Sequence, residues 1–243
     1  MTAPTETGHD RVYDNFYRVE RAGAVRLRDG GGPFGFDISK AVMIDDLISS
    51  YRCDGLVETG SFLGDTSVYL ARTYGDIPLW TCDIDPVFSQ VAGHRLRSYP
   101  QARCEATDSP TLVEEANAHF ARPLYYLDAH WEQEWPLSRE LAAITHGIVI
   151  IDDFDIGHHR FGFDTYQGRA CGPEMLRPLA DRLPVYYTLD PEAATPFPVL
   201  QVGRRSGIGV VAYGPDATRA CDTNPHLVRH LNAAVRETEG AGL

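Results

Sequence analysis

The chain has 243 residues, which suits one well-cored domain of ordinary size and leaves little room for a second. Apolar residues make up 43% and charged residues 23%, and no apolar run approaches the ~20 residues of a membrane helix, so a membrane span and wholesale disorder are not expected. Lys and Arg number 22 against 34 Asp and Glu, a net charge of -12, which argues against a surface that grips phosphate backbones and so against nucleic acid as a partner.

Residues Met1 to Asp10 are polar and carry no apolar leader, so no signal peptide is expected. Val12 to Leu27 is expected to hold a short helix, and Asp29 to Pro33, with three consecutive glycines, reads as a loop. From Ser39 to Tyr51, Val42, Met43, Leu47 and Ile48 fall at helical spacing. Residues 1–52 thus read as a tail and a helical cap on the substrate side, and 53–243 as the main domain. Lys40 is the only lysine of the chain and lies in this first segment.

After Gly55, short apolar runs alternate with helical patterns. Leu56-Val57, Leu79 to Cys82, Leu124 to Leu127 and Ile148 to Ile151 are strand candidates, each followed by an acidic residue, and a third strand ends around Cys104 to Ala106. Thr66 to Thr73, Val87 to Ser98, Leu112 to Phe120 and Leu137 to Ile144 carry helical periodicity, a β-α-β-α rhythm that predicts a Rossmann-like, doubly wound, mostly parallel sheet. Val185 to Leu189, Val199 to Val202 and Gly207 to Tyr213 read as further strands, the last two joined by Gly203 to Ser206 as a hairpin. The sheet is therefore expected to end in an antiparallel strand. Pro225 to Thr238 reads as a closing helix. The five cysteines, Cys53, Cys82, Cys104, Cys171 and Cys221, show no C-x-x-C pair, so neither a zinc site nor a disulfide framework is expected, and a reducing cytoplasm is the simplest location.

Glu58-Thr-Gly60-Ser61-Phe62-Leu-Gly64-Asp-Thr66 follows a strand and precedes a helix, the place of a nucleotide-type cofactor loop. Phe62 stands where a dinucleotide fingerprint needs its middle glycine, and Glu58 adds like charge near any pyrophosphate, which disfavours NAD and FAD. S-adenosylmethionine, which has an adenosine, an amino group and a sulfonium but no phosphate, has the opposite needs. Asp83 at the end of the second strand is placed for its ribose, and Asp108 and Ser109 for its adenine. Glu-x-Gly-x-x-x-Gly alone is also the pattern of a plain turn.

Asp128 ends one strand and Asp152-Asp153 the next. Neighbouring strands lie ~4.8 Å apart, so three carboxylates converge at the sheet edge, and a hard divalent cation, Mg²⁺ first, would neutralise them. Either Asp152 or Asp153 could instead cap a helix. His130, two residues from Asp128, is the first candidate for a catalytic base, followed by Asp155, His158 and His159. Asp155 to Gly172 mixes aromatic and charged residues and reads as a substrate lid or as a loop covering the sheet edge. Trp131 and Trp135 read as core or pocket wall, and Glu132 and Glu134 as solvated.

Glu58-Thr-Gly60 with Gly64, Asp83-Ile-Asp85-Pro86, Leu127-Asp128 and Ile151-Asp152-Asp153 resemble the class I S-adenosylmethionine-dependent methyltransferases. More narrowly, Asp128-Ala-His130-Trp131 followed by Asp152-Asp153 resembles the metal-dependent small-molecule O-methyltransferases of the catechol and macrolide-sugar types. The resemblance covers roughly Gly55 to Asp155. It implies a seven-stranded sheet of order 3-2-1-4-5-7-6, Asp128, Asp152 and Asp153 as ligands of Mg²⁺, and methylation of a small-molecule hydroxyl, with natural-product biosynthesis as the setting. Many catechol-type enzymes keep a lysine beside the metal, whereas here Glu132 follows His130-Trp131 and Lys40 is distant in sequence. N-methylation, a different reaction on the same fold and a non-catalytic binding module remain alternatives, and a homodimer is compatible with the amphipathic N-terminal segment.

Overall fold

A computed structural model describes residues 8–24, 26, 31–130, 135–201 and 205–232. Five strands, β1 (Gly55–Thr59), β2 (Leu79–Asp83), β3 (Ala102–Ala106), β4 (Pro123–Leu127) and β5 (Gly147–Ile151), pair in parallel. They are followed by β6 (Val185–Leu189), β7 (Gly209–Tyr213) and β8 (Leu227–Leu231), and the sheet order is β3-β2-β1-β4-β5-β7-β6-β8. β7 is antiparallel to both β5 and β6, and β8 is antiparallel to β6.

β1, β4 and β5 are buried along their whole length, because both faces of a parallel sheet are covered. Leu56, Leu124, Ile148 and Ile150 meet one layer, built from α1 (Asp10–Phe16), α2 (Ile38–Tyr51) and α3 (Asp65–Thr73). Val57, Tyr125, Val149 and Ile151 meet the other, from α5 (Ser109–His119) and α6 (Leu137–Ala143). α4 (Pro86–Leu96) packs beside β3, and α7 (Pro215–Asp222) beside β7. In α2, Val42, Met43, Ile44 and Leu47 are fully buried in the same cluster as the sheet.

The strand order turns back between β1 and β4, the place where an open α/β sheet forms its ligand crevice. Register sharpens this. Thr59 pairs with Leu127 and Leu127 with Ile151, so the residues that follow, Gly60, Asp128 and Asp152, leave the sheet side by side.

The first seven places reproduce the expected order, and three segments differ from expectation. The first helix ends at Phe16; the chain then turns, with Gly23 at φ 72°, and residues 25 and 27–30 lie outside the described residues. Among the described residues the predicted hairpin is not formed: 199–201 make no strand, and Arg205–Ser206 pair in parallel with Phe161–Gly162. Residues 202–204 lie outside the described residues. Where a closing helix was expected, Leu227–Leu231 form an eighth strand. Asn224 takes the backbone N–H of His226 on its side chain, and the open edge of β6 offers a full ladder of partners, so strand pairing wins over helical spacing.

Candidate active site

Gly60 sits at φ 76°, and a β-carbon there would come 2.5 Å from the carbonyl oxygen of Asp128, so only glycine lets the β1 loop pass the β4 loop. Phe62 follows at φ 45°, an unusual conformation for an aromatic residue, and its N–H donates to Asp83 Oδ2 at 2.8 Å. This brace holds the loop over a cavity of about 460 Å³, lined by Gly60, Phe62, Asp83, Ile84, Phe88 and Ser109 on one side and by Asp128, His130 and Arg139 on the other. Phe62 and Ile84 are half-exposed, and Phe62 meets Phe88 edge-on at 4.6 Å, an apolar rim suited to a flat ring. Arg139 Nη1 donates to Asp108 Oδ2 at 2.7 Å and ties α6 to the start of α5.

Of the residues expected to hold the cofactor, Gly60, Phe62, Asp83, Asp108, Ser109 and Asp128 line this cavity. The other four do structural work beside it. Gly64, at φ 78°, starts α3; Thr66 accepts the N–H of Phe34; and Ser61 faces the Cys104 sulfur at 3.9 Å. Glu58 lies beneath the loop, accepting from Thr81 at 2.6 Å and from Ser67. Burial pushes its carboxyl up to about 7 despite both hydrogen bonds. A carboxyl raised in the folded state contributes stability that is complete below its ordinary value of 4.5 and is lost as pH rises through about 7. The stability difference between wild type and Glu58→Gln is therefore expected to shift against wild type over that window, read as denaturation midpoints at a series of pH values.

At the acidic edge the three predicted aspartates part company. Asp152 is buried, and its Oδ1 accepts from Lys40 Nζ at 2.5 Å, Ser206 Oγ at 3.1 Å and the N–H of Asp153 at 2.9 Å, while Oδ2 accepts from the Tyr126 hydroxyl at 2.5 Å. Burial alone would raise its pKa, but the Lys40 charge and these donors hold it below the usual carboxylate value. Lys40, fully buried, also donates to Ser206 at 2.5 Å; burial would lower its pKa, and Asp152 and Asp37 raise it instead. The lysine that sequence distance set aside thus reaches the site from α2. Its position carried the signal, because Lys40 precedes Met43, Ile44 and Leu47 by three, four and seven residues on the buried face.

Asp128, His130 and Asp153 form the one cluster of three metal-ligating side chains among the described residues, with ligand atoms within 4.8 Å of one another. His130 Nε2 lies 3.0 Å from Asp128 Oδ1 and 3.6 Å from Asp153 Oδ2, and Nδ1 lies 2.9 Å from Asp164 Oδ2. Partial burial would lower the imidazole pKa; the hydrogen bond and charge of Asp128, with Asp153 and Asp164, push it up to about 9. With no cation among them, these three carboxylates hold the ring towards its protonated form. Burial and then the charge of Asp152 raise the pKa of Asp128, and burial with Asp152 and Asp128 takes Asp153 up to about 7.

Asp155, His158 and His159, the other base candidates, make contacts away from this cluster: Asp155 Oδ1 accepts the N–H of Gly157, and His158 packs on His159 and Phe161 with Glu192 at 3.9 Å. The loop expected to act as a lid does cross the edge. Asp164 N–H donates to the Asp153 carbonyl at 3.0 Å, and Trp135 lies 6.2 Å from Tyr166. Trp131, Glu132 and Glu134 lie outside the described residues. Sequence reasoning set Lys40 aside and missed Arg139 and Glu140; the last is buried on α6 beside the small cavity that His130 also lines, with burial pushing its carboxyl up to about 7.

No protein-family profile matches the chain, and no curated protein matches it in sequence. Among solved structures it is similar to the S-adenosylhomocysteine-bound methyltransferase PaMTH1 of Podospora anserina, at 12% identity over 73% of this chain and 79% of that one, TM-score 0.50. It is also similar to the O-methyltransferase TomG of Streptomyces achromogenes, solved with S-adenosylmethionine, at 18% identity over 72% and 79% of the two chains, TM-score 0.49. A third is an O-methyltransferase of Bacillus cereus solved with S-adenosylhomocysteine, at 14% identity over 86% and 92%, TM-score 0.47. The PaMTH1 likeness, with the strand order, shows that the chain has the Rossmann-like fold of the S-adenosylmethionine-dependent methyltransferases. Among the described residues no helix is long and apolar enough to cross a membrane.

Proposed function

We infer that the chain is an S-adenosylmethionine-dependent methyltransferase acting on a hydroxyl oxygen of a small molecule, with a divalent cation at the acidic edge. The observation that carries this reading is the continuity of the cavity. Its loop end, Gly60, Phe62, Asp83, Ile84 and Ser109, has the apolar rim and acidic residue an adenosine needs, and its far end is Asp128 and His130 of the acidic edge. The donor set fits both groups: two carboxylates and an imidazole converge for a cation, and the loop from Glu58 to Thr66 carries no Lys or Arg for a phosphate.

When bound, S-adenosylmethionine would supply an electrophilic methyl carbon on a positively charged sulfur, with a neutral thioether as its leaving group. A bound divalent cation supplies Lewis acidity that favours the deprotonated acceptor. Asp83, held by the Phe62 and Asp85 N–H groups, is fixed to accept from ribose hydroxyls. Gly60 brings the loop against the Asp128 backbone, so donor and acceptor share one wall. The resemblance of Asp128-Ala-His130-Trp131 and Asp152-Asp153 supports an acceptor of natural-product type, and free thiols on all five cysteines support a reducing cytoplasm.

Calorimetric titration with S-adenosylhomocysteine, beside NAD, tests the reading. Micromolar binding of the first and none of the second is expected, with at least a tenfold weaker value in Asp83→Ala. Binding of neither ligand would sink it.

A further inference from the structure

We propose that the cation of the acidic edge is held by Asp128, the Nε2 of His130 and Asp153, with Asp152 outside the ligand set, and that it is a first-row transition ion such as Mn²⁺ in preference to Mg²⁺. The proposal rests on the methyltransfer reading only for the reason a cation is wanted there.

Spacing is the first ground. An ion with bonds of ~2.1 Å holds adjacent ligand atoms roughly 3.0–3.5 Å apart. His130 Nε2 already stands 3.0 Å from Asp128 Oδ1 and 3.6 Å from Asp153 Oδ2.

The second ground lies outside the trio. A metal-bound imidazole nearly always donates its other ring N–H to a carboxylate, which fixes the tautomer and aims the free lone pair at the ion. Asp164 occupies that place, 2.9 Å from Nδ1, and its own backbone is pinned by hydrogen bonds to Asp153 and Cys171. Behind the ring, Glu140 Oε1 is buried without a hydrogen-bond partner, beside a cavity of about 10 Å³ that His130 and Asp152 also line, room for one water.

Asp152 is withheld for a plain electrostatic reason. Its Oδ1 carries three donors, among them the ammonium of Lys40, so an incoming cation would have to displace a buried like charge that has no water to move into. With Asp152 cancelled by Lys40, the carboxylates of Asp128, Asp153 and Asp164 face one imidazole, a deficit a divalent ion fills. Mg²⁺ takes oxygen ligands in near-ideal octahedra and keeps its waters, whereas first-row transition ions accept imidazole.

The test is Mn²⁺ binding to the EDTA-stripped full chain, followed by the loss of the free-ion electron paramagnetic signal, with Mg²⁺ as competitor and S-adenosylhomocysteine affinity measured on the same samples. Expected are at least tenfold tighter binding of Mn²⁺ than of Mg²⁺ and imidazole-nitrogen modulation in the spin echo of the bound ion. His130→Asn should remove that modulation and weaken Mn²⁺ at least tenfold, and Asp164→Asn should weaken it by about ten- to a hundredfold. Asp152→Asn, or the neutral pair Lys40→Met with Asp152→Asn if the single variant does not fold, should keep both the affinity and the modulation. Full Mn²⁺ affinity in His130→Asn, its loss in the Asp152 variants that still bind S-adenosylhomocysteine, or Mg²⁺ binding as tightly as Mn²⁺ would each overturn the proposal. S-adenosylhomocysteine binding without any Mn²⁺ binding overturns the metal site and leaves the methyltransfer reading standing; failure of both ligands removes both.

Discussion

Lys40→Met is expected to destabilise the protein by about 3–5 kcal/mol, the range found when one partner of a buried ion pair is removed and the other is left without compensation. Lys40 is fully buried and Asp152 nearly so, and the ammonium is the only cation on that carboxylate among its recorded partners. The methionine fills much the same volume, so the loss reports charge more than packing. Adding Asp152→Asn to Lys40→Met should recover part of it, because the amide needs no counter-ion. The sign of the pH dependence follows from Asp152: a carboxyl held low in the folded state contributes stability that is present above its ordinary value of 3.8 and is lost as pH falls through the lower one. The gap between wild type and Lys40→Met should therefore narrow in acid. Urea unfolding at neutral pH and again near pH 3 measures both effects, and a loss below about 1 kcal/mol at neutral pH, the value of a surface pair, would contradict the buried pairing.

Gly60→Ala is expected to weaken S-adenosylhomocysteine roughly a hundredfold, about 2.8 kcal/mol, read by calorimetry. The added carbon would sit 2.5 Å from the Asp128 carbonyl oxygen and 2.9 Å from Ala129 Cα, both backbone atoms, at a φ of 76° that disfavours any side chain. Neither neighbour can rotate aside, so the β1 and β4 loops must separate, and they form the two walls of the cavity. Gly64→Ala is the control. Its carbon would meet Ala92 at 3.1 Å on the helix side, which is expected to lower the melting temperature while leaving affinity near the wild-type value. Equal loss of affinity in the two variants would show that the effect is general loosening of the loop.

Much of this architecture is written in local pattern. Alternating apolar runs and helical spacings mark β1, β2, β4, β5 and α2 to α6 because a strand buried on both faces must be apolar throughout and a covering helix on one stripe. The glycine loop, Asp83 and Asp128 are equally legible, since they follow strand ends, and in a parallel sheet all strand ends of one kind share an edge. The C-terminal third was less readable. Leu227–Leu231 lie within a helical-looking segment, and only the unpaired edge of β6 makes them a strand. Arg205–Ser206 follow Phe161–Gly162 instead of a hairpin because Arg205 is bound to Asp37 at 2.5 Å and Ser206 to Lys40, partners more than 160 residues away.

The sequence by itself determined the alternation of strands and helices, the loop that crosses the crevice and the gathering of acids at one edge, all consequences of short-range periodicity and strand polarity, while the strand order came only from the family resemblance. Which acid does what was decided only by tertiary packing. Asp152 and Asp153 are adjacent in the chain, yet one turns into the core to meet Lys40 from α2, while the other, at φ 49°, turns out towards His130. The charge state of a carboxylate depends on what stands within a few ångströms of it, and for Asp152 the deciding group, Lys40, comes from a helix 112 residues away.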